Sequence, residues 1–225
     1  MDRILMFSGG LDSLLIKELH GFKNEECLFV RMGTQENENE ERFIDTYFPG
    51  VIKVDCPLSV YELGNKIVPF RNYFLTLIGA QYAPNIYFGY TAGDTTRDKD
   101  YVYKGLMESL LNYFTDIPEK APFERDQPYQ IQMPFKFFTK TEILEMYIRQ
   151  GYDLKILSKS PSCYYNQCGK CRSCLRRYVA FFLNGLGIDF TPSLLELDEL
   201  LTEAIRKDRK KEIKEIKKCI NLRQQ

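Results

Sequence analysis

The chain has 225 residues, 44% of them hydrophobic, and its 31 Lys and Arg balance its 31 Asp and Glu. This length and composition predict one large globular domain, or one domain with an appendage. The zero formal charge gives no indication of nucleic-acid binding by the chain as a whole. No apolar run reaches the roughly 18 residues of a membrane span, and no signal peptide opens the sequence. We therefore expect a soluble cytoplasmic protein without a membrane contact.

The first predicted element is a short strand, residues 3–7, which leads through a glycine loop into a helix over residues 14–19. The loop is the segment Phe7-Ser8-Gly9-Gly10-Leu11-Asp12-Ser13. Paired glycines let the backbone approach a ligand closely, and the free N–H groups of a helix N-terminus favour a phosphate. No lysine follows the glycines, which excludes a Walker loop, and the dinucleotide motif G-x-G-x-x-G is absent. The segment predicts a phosphate site where Asp12 caps the helix or holds Mg²⁺.

Strands and helices then alternate along the chain. The predicted strands are residues 27–30, 51–54, 86–90 and 130–135. The predicted helices begin in the acidic tract at 35–41 and continue with residues 73–83, 103–114 and 141–150. This order predicts an α/β fold, a Rossmann-like parallel five-stranded sheet covered on both faces. Ligands of such sheets bind at the carboxyl ends of the strands, so Ser8–Gly10, Gly33, Asp55 and residues 90–94 should converge on one site.

A cysteine cluster begins after Ser158. Its spacing is C-x4-C-x2-C-x2-C, formed by Cys163, Cys168, Cys171 and Cys174. Four thiolates this close can complete a tetrahedron around Zn²⁺, and metal binding would order the segment. An iron–sulfur cluster is the alternative, although no Cys-Pro follows. We expect residues 1–157 to form the α/β domain and residues 158–190 a zinc module packed on it.

The chain ends in a basic tail, residues 191–225, predicted as helices over 194–201 and 203–222. Residues 206–223 hold nine Lys or Arg against three Asp or Glu. Ile213, Ile216 and Ile220 form an apolar stripe at helical spacing. Two interpretations stay open: a contact with nucleic acid or a partner protein, or a solvated helix packed by its stripe.

Together, the glycine loop and the cysteine cluster resemble the 7-cyano-7-deazaguanine synthase family of pyrophosphate-loop ATP pyrophosphatases. Three further segments resemble motifs of that family and occur in the same order. They are Val68-Pro69-Phe70-Arg71-Asn72, Gly89-Tyr90-Thr91-Ala92-Gly93-Asp94 and Thr139-Lys140-Thr141-Glu142-Ile143. The resemblance spans residues 3 to about 182. It implies the adenine-nucleotide α-hydrolase (HUP-type) version of the Rossmann-like fold.

The resemblance also implies an ATP-dependent C–N ligase that releases AMP and pyrophosphate. It would adenylate the carboxylate of 7-carboxy-7-deazaguanine, form the amide with ammonia, and use a second ATP to form the nitrile. ATP, Mg²⁺ and Zn²⁺ are the implied cofactors, and a homodimer is the implied assembly. The implied catalytic residues are Asp12, Arg71, Asp94 and Lys140. The implied cofactor-binding residues are Phe7, Ser8, Gly9, Gly10, Leu11, Asp12, Ser13, Gly33 and Asn72.

Several of these residues have a second interpretation. Lys140 would stabilise the leaving pyrophosphate, or it is a surface lysine at a helix start. Arg71 would bind a carboxylate or phosphate, or form a surface ion pair. Asp94 would contact substrate or metal, or serve as a polar loop residue, and Asn72 is also a candidate N-cap.

Residues 95–105 depart from the family pattern, and only Asp100 is clearly comparable. Because this loop helps the family recognise the deazaguanine, the acceptor stays open. The alternative is a divergent enzyme that adenylates a nucleic acid, as in tRNA thiolation, or a protein of a phage or defence system. A non-catalytic binding subunit is a third hypothesis, disfavoured by the intact glycine loop.

Overall fold

A computed structural model describes residues 1–64, 66–115, 122, 127–161, 163 and 168–225. Its strands are β1 Arg3–Met6, β2 Cys27–Arg31, β3 Ile52–Asp55, β4 Asn85–Tyr87 and β5 Gln130–Gln132. The helices of the first two-thirds of the chain are α1 Leu11–Leu19, α2 Asn37–Tyr47, α3 Arg71–Gly79, α4 Tyr101–Phe114 and α5 Lys140–Arg149. The remaining helices are α6 Lys155–Lys159, α7 Arg172–Leu183, α8 Leu194–Arg206 and α9 Lys210–Gln224. None of the helices described is both long and apolar enough to cross a membrane.

The five strands form one sheet in the order β3-β2-β1-β4-β5, and every neighbouring pair is parallel. The chain builds outward from β1 to β3 and then returns to the other side of β1 with β4. The order therefore reverses between β1 and β4, which is where such sheets open a ligand crevice. The predicted Rossmann-like fold with a parallel five-stranded sheet is confirmed.

Both faces of the central strands are buried. Because successive strand residues point to opposite faces, Leu5 packs with α1, α2 and α5, while Ile4 and Met6 pack with α3 and α4. In β2, Phe29 and Val30 divide between the two faces in the same way. This packing fixes the carboxyl edge of β1 and β2, and with it the start of the glycine loop.

The C-terminal helices α7, α8 and α9 share a third apolar cluster, to which α9 contributes Ile216 and Ile220. Helix α7 belongs to two clusters, since Ala180 and Phe181 pack on the sheet side. The stripe of the basic tail thus packs inward, as one interpretation expected. The divisions at 157/158 and 190/191 stay predictions, and residues 162 and 164–167 lie outside the described part of the chain.

Two local predictions are wrong. The tail helix predicted over 203–222 is divided, since α8 extends through Glu203 and Asp208 turns the chain with a φ of 48°. Glu203 stays in α8 because its carboxylate pairs with Arg172 and with Lys207, the latter at 2.7 Å. Asn72 is no N-cap: Phe70 holds that position in a left-handed conformation, and Asn72 lies in the first turn of α3.

Candidate active site

A cavity of about 330 Å³ opens at the carboxyl edge of the sheet, between β2, β1 and β4. Its volume is in the range of ordinary ligand pockets. The predicted site residues that line it are Phe7, Ser8, Gly10, Leu11, Asp12, Ser13, Arg71, Asn72, Lys140 and Cys163. Gly9, Gly33 and Asp94 do not line this cavity. The expectation that Asp55 joins the site is wrong, because this exposed residue pairs with Arg31 at the end of β3.

The glycine loop is held by backbone geometry and by the core. Gly9 has a φ of 70°, and a Cβ there would lie 2.8 Å from Phe43, so both conformation and space favour glycine. The side chains of Phe7 and Leu11 are buried in the core. Gly10 is the N-cap of α1 and has no side-chain cap of its own. The helix N-terminus is thus directed at the cavity, as anion binding requires.

Asp12 and Lys140 meet across the cavity. The Lys140 ammonium contacts both carboxylate oxygens of Asp12, and its side chain is only 13% exposed. Lys140 opens α5 directly after Thr139, whose hydroxyl accepts the Glu142 N–H at 3.2 Å in a capping box. A cation is disfavoured at a helix N-terminus unless an anion is near. The interpretation of Lys140 as a surface lysine is therefore wrong, and so is side-chain capping by Asp12.

Helix α3 brings Arg71 and Asn72 to the cavity from the β4 side. Within the described ranges Arg71 forms no ion pair, so the predicted surface ion pair is not found. Asn72 is buried, and its Nδ2 donates to Asp98 Oδ2 at 2.6 Å. Arg71 is thus a cation directed at the cavity, while Asn72 connects α3 to the loop before α4.

The four cysteines are brought together beside the cavity. Their sulfur atoms all lie within 4.8 Å of one another, and the Cys163 and Cys168 sulfurs are 3.8 Å apart. A zinc tetrahedron with bonds of about 2.3 Å has sulfurs about 3.8 Å apart. The adjacent Cys174 and burial raise the pKa of Cys171, so a bound cation would be needed to hold four thiolates. The cluster is compatible with metal binding, and Cys163 also lines the cavity.

The family model described as "Queuosine biosynthesis protein QueC" matches residues 50–185. This chain belongs to the QueC family. The matched segment contains Arg71, Asn72, Asp94, Lys140 and the cysteine cluster, whereas the glycine loop precedes it.

Several relatives are named 7-cyano-7-deazaguanine synthase. The protein of Hahella chejuensis is 28% identical over 142 residues, 58% of this chain and 57% of the relative. That of Psychromonas ingrahamii is 30% identical over 133 residues, 56% of this chain and 55% of the relative. In both, the chain spans little more than half of the relative's length. The protein of Desulfotalea psychrophila is 24% identical over 226 residues, 87% of this chain and 100% of the relative.

Asp94, from one of the QueC-like segments, lines a second pocket of about 530 Å³ beside the first. Its carboxylate accepts the Thr91 N–H at 2.9 Å and pairs with Lys99 at 3.2 Å. Burial alone would raise the pKa of Asp94, but Lys99 and Arg176 outweigh it, and the pKa lies below its usual range. Asp94 is therefore an ionised residue that holds its own loop.

Two acidic residues of the cavity lie in the tract at 35–41, for which the sequence predicted the start of a helix and no part of the site. Glu36 and Glu40 are four residues apart and so share the face of α2 that lines the cavity. Burial raises the pKa of Glu40 to about 8 and also raises that of Glu36. Asn37 donates to Glu40 Oε2 at 3.0 Å and accepts the Gly33 N–H at 3.1 Å. The spacing of Glu36 and Glu40, four residues apart, was the sequence signal that could have identified them as one acidic face.

Arg177 and Lys99 also line the cavity without having been predicted there. Arg177 is 1% exposed and donates to the carbonyl oxygens of Ser160, at 2.7 Å, and Leu157. Its Nε has no hydrogen-bond partner among the described residues, and burial lowers its pKa to about 10. Its neighbour Arg176 does not line the cavity, and adjacent arginines carry no sequence signal that distinguishes the two.

Proposed function

We propose that the protein is an ATP-dependent C–N ligase that converts 7-carboxy-7-deazaguanine and ammonia to the nitrile, 7-cyano-7-deazaguanine. The observation that carries this proposal is the contact of Lys140 with Asp12 at the N-terminus of α1, inside a cavity of a QueC-family chain. The names of the relatives support the choice of acceptor.

The reaction has two activations. The acceptor carboxylate oxygen attacks the α-phosphorus of ATP, the bond to pyrophosphate breaks, and an acyl adenylate forms. Ammonia adds to the acyl carbon, a proton is lost, and AMP leaves to give the amide. The amide oxygen then attacks a second ATP in the same way. Loss of AMP and of the nitrogen-bound protons leaves the nitrile, so the acceptor oxygens depart on AMP.

The chain's own residues supply alignment and charge stabilisation. The N-terminus of α1, with the hydroxyls of Ser8 and Ser13, would bind the phosphates. Lys140 would neutralise the leaving pyrophosphate, and its contact with Asp12 holds its ammonium at the loop until nucleotide binds. Arg71 can take a carboxylate or phosphate in bidentate geometry. The Asp12 carboxylate has the oxygen ligands that Mg²⁺ prefers, and the ion would screen the phosphate charge.

The cysteine cluster would hold zinc. Four thiolates leave no open coordination position, so the ion would be structural, ordering the segment between Pro161 and α7. Pro161 and Cys163, together with Ser173 in the first turn of α7, line the cavity. Zinc would therefore shape the site without touching the reacting atoms.

A second candidate keeps the ATP chemistry with another acceptor, a nucleic acid or a protein. It is favoured by Lys99, which lines the cavity. Lys99 lies in loop 95–105, the segment that departs from the family pattern. Residues from that loop therefore meet whatever is adenylated. A homodimer and a contact through the basic tail stay predictions.

One assay separates these candidates. The protein is incubated with Mg-ATP, ammonium and 7-carboxy-7-deazaguanine, and the amide and nitrile are sought by mass spectrometry together with AMP. Both products in the presence of acceptor support the ligase. Cleavage of ATP to AMP without either product contradicts this acceptor and supports the divergent one. Absence of AMP formation with any acceptor class contradicts both candidates.

A further inference from the structure

Helix α9 lies beyond the matched segment 50–185, yet its first half contacts two elements of the active site. Lys211 Nζ donates to the Phe137 carbonyl at 2.8 Å and pairs with Glu142 at 2.9 Å. Glu212 and Glu215, three residues apart on the same helix, make contacts on its inner side. The helix of the basic tail thus packs against the elements that carry the site.

Glu215 holds the residues on either side of Lys140. Its carboxylate accepts from the Thr139 hydroxyl and, at 2.9 Å, from the Thr141 hydroxyl. Thr139 is the N-cap of α5 and is fully buried. One carboxylate from α9 therefore ties down the turn from which Lys140 projects toward Asp12.

Glu212 acts on the loop after β4. It is 5% exposed, and its Oε1 accepts from Arg176 Nε at 2.7 Å. Arg176 Nη2 donates to the Thr91 hydroxyl at 3.3 Å. The guanidinium lies so close to Gly93 that a Cβ there would be 1.7 Å from Nη2. The ion pair thereby holds the Thr91–Asp94 turn against α7.

We propose that α9 supports the active site from outside the cavity and that Glu215 is a positioning residue for Lys140. Glu212, through Arg176, positions the Thr91–Asp94 turn in the same way. The contacts themselves do not depend on the reaction; only the role of Lys140 toward pyrophosphate rests on the proposed function. A displacement of a reacting group by about 1 Å can cost about 10²-fold in rate. Loss of Glu215 should therefore reach the chemistry although Glu215 touches no substrate.

The test compares Glu215→Ala with Glu215→Gln and with Glu199→Ala, a matched carboxylate removal at an exposed position of α8. The first readout is the acetylation rate of Lys140, measured by peptide mass spectrometry relative to that of exposed Lys217. Loss of about 1 kcal/mol of hydrogen bonding should raise the Lys140 rate about fivefold in Glu215→Ala. Glu215→Gln should stay near wild type, because its amide can accept from one hydroxyl and donate to the other.

The second readout is pyrophosphate release under saturating ATP. We expect kcat to fall about 10²-fold in Glu215→Ala, with Glu215→Gln and Glu199→Ala near wild type. Equal Lys140 acetylation in Glu215→Ala and Glu199→Ala would overturn the proposal. If Glu215→Ala does not fold, Thr141→Val removes one of the two hydroxyls and must itself raise the Lys140 rate, or the proposal fails. Should wild type release no pyrophosphate, the proposed function fails, while the acetylation rates still decide the role of Glu215.

Discussion

Two loops meet at the crevice, one after β1 and one after β4, and they are held in different ways. The glycine loop is fixed by the buried side chains of Phe7 and Leu11 and by the left-handed Gly9 against Phe43. The loop after β4 is fixed by polar side chains, with Asp94 pairing with Lys99 and Asn72 bonding Asp98. Core packing tolerates few substitutions, whereas polar contacts of this kind can be exchanged in pairs. We therefore expect the glycine loop, the proposed phosphate side, to be rigid, and the loop after β4, the proposed acceptor side, to be open to change.

Removal of the proposed zinc ion should have the largest effect and should affect the two loops differently. Chelation, or Cys171→Ser, should destabilise the protein by several kcal/mol, since apparent zinc binding reaches about 10–16 kcal/mol in small modules. Because Arg176 follows Cys174 on α7, hydrogen exchange should rise at residues 91–94 far more than in β1. Elemental analysis of the untreated protein should find one zinc per chain.

The matched control for that experiment is Cys56→Ser, a cysteine outside the cluster that should keep the metal. Detection of bound iron together with sulfide would instead support the iron–sulfur cluster. A metal-free protein with unchanged stability would contradict the assignment of the cluster.

Lys140→Ala tests the phosphate side. Removal of one preorganised group that stabilises developing charge costs about 10²–10³ in rate, so pyrophosphate release should fall by about that factor. The exposed Lys159→Ala is the control and should leave the rate unchanged. A Lys140→Ala protein with wild-type turnover would remove Lys140 from the mechanism.

Glu40→Gln tests the acidic wall that Glu36 and Glu40 form along the cavity. Folded Glu40 has a pKa of about 8 against an ordinary 4.5, so the folded state keeps a proton that the unfolded state releases. Its stability contribution therefore falls as the pH rises from about 4.5 to about 8. One pKa unit corresponds to about 1.4 kcal/mol. The free energy of unfolding of Glu40→Gln should therefore rise, relative to that of wild type, by at least about 2 kcal/mol across this pH range.

Urea unfolding of both proteins at pH 5 and pH 8 measures that gain. Glu36 and Arg71, the charged groups near Glu40, are present in both proteins. A difference in unfolding free energy that does not change with pH would show that Glu40 ionises normally.

The acceptor side is tested by Asp98→Asn, which replaces the charged hydrogen-bond acceptor of the Asn72 amide. The resemblance implied that Asn72 binds the cofactor, but its amide is engaged by Asp98. Loss of about 1 kcal/mol at this contact should therefore raise the KM for the acceptor about fivefold and leave the KM for ATP unchanged. Steady-state kinetics with each substrate varied in turn give both values. Equal changes in the two constants would contradict the division into a phosphate side and an acceptor side.

The predictability of the molecule from its sequence follows the same division. The alternation of strands and helices, the glycine loop and the cysteine cluster could be predicted from the sequence, because each depends on local spacing. The partner of Lys140 was not, since Asp12 is far away in the chain and only the sheet brings them together. Glu36 and Glu40 could not be assigned to the site from the acidic tract, because their position in the cavity wall arises only in the folded chain.

Asp94 shows the opposite difficulty. Its place in a family-like segment predicted a role in the reaction, whereas its carboxylate is occupied by Thr91 and Lys99 beside the second pocket. The boundary between α8 and α9 was missed because the ion pairs of Glu203 involve Arg172 from another helix. Long-range polar contacts of this kind leave no periodic signal.

The central claim is that the acceptor carboxylate attacks the α-phosphorus of ATP at the glycine loop. The most direct measurement uses 7-carboxy-7-deazaguanine labelled with ¹⁸O in its carboxylate, with Mg-ATP and ammonium, and determines the mass of the AMP released. Transfer of one carboxylate oxygen to AMP in the first activation, with pyrophosphate as the other product, is the result we predict. Unlabelled AMP, or ADP in its place, would contradict the account.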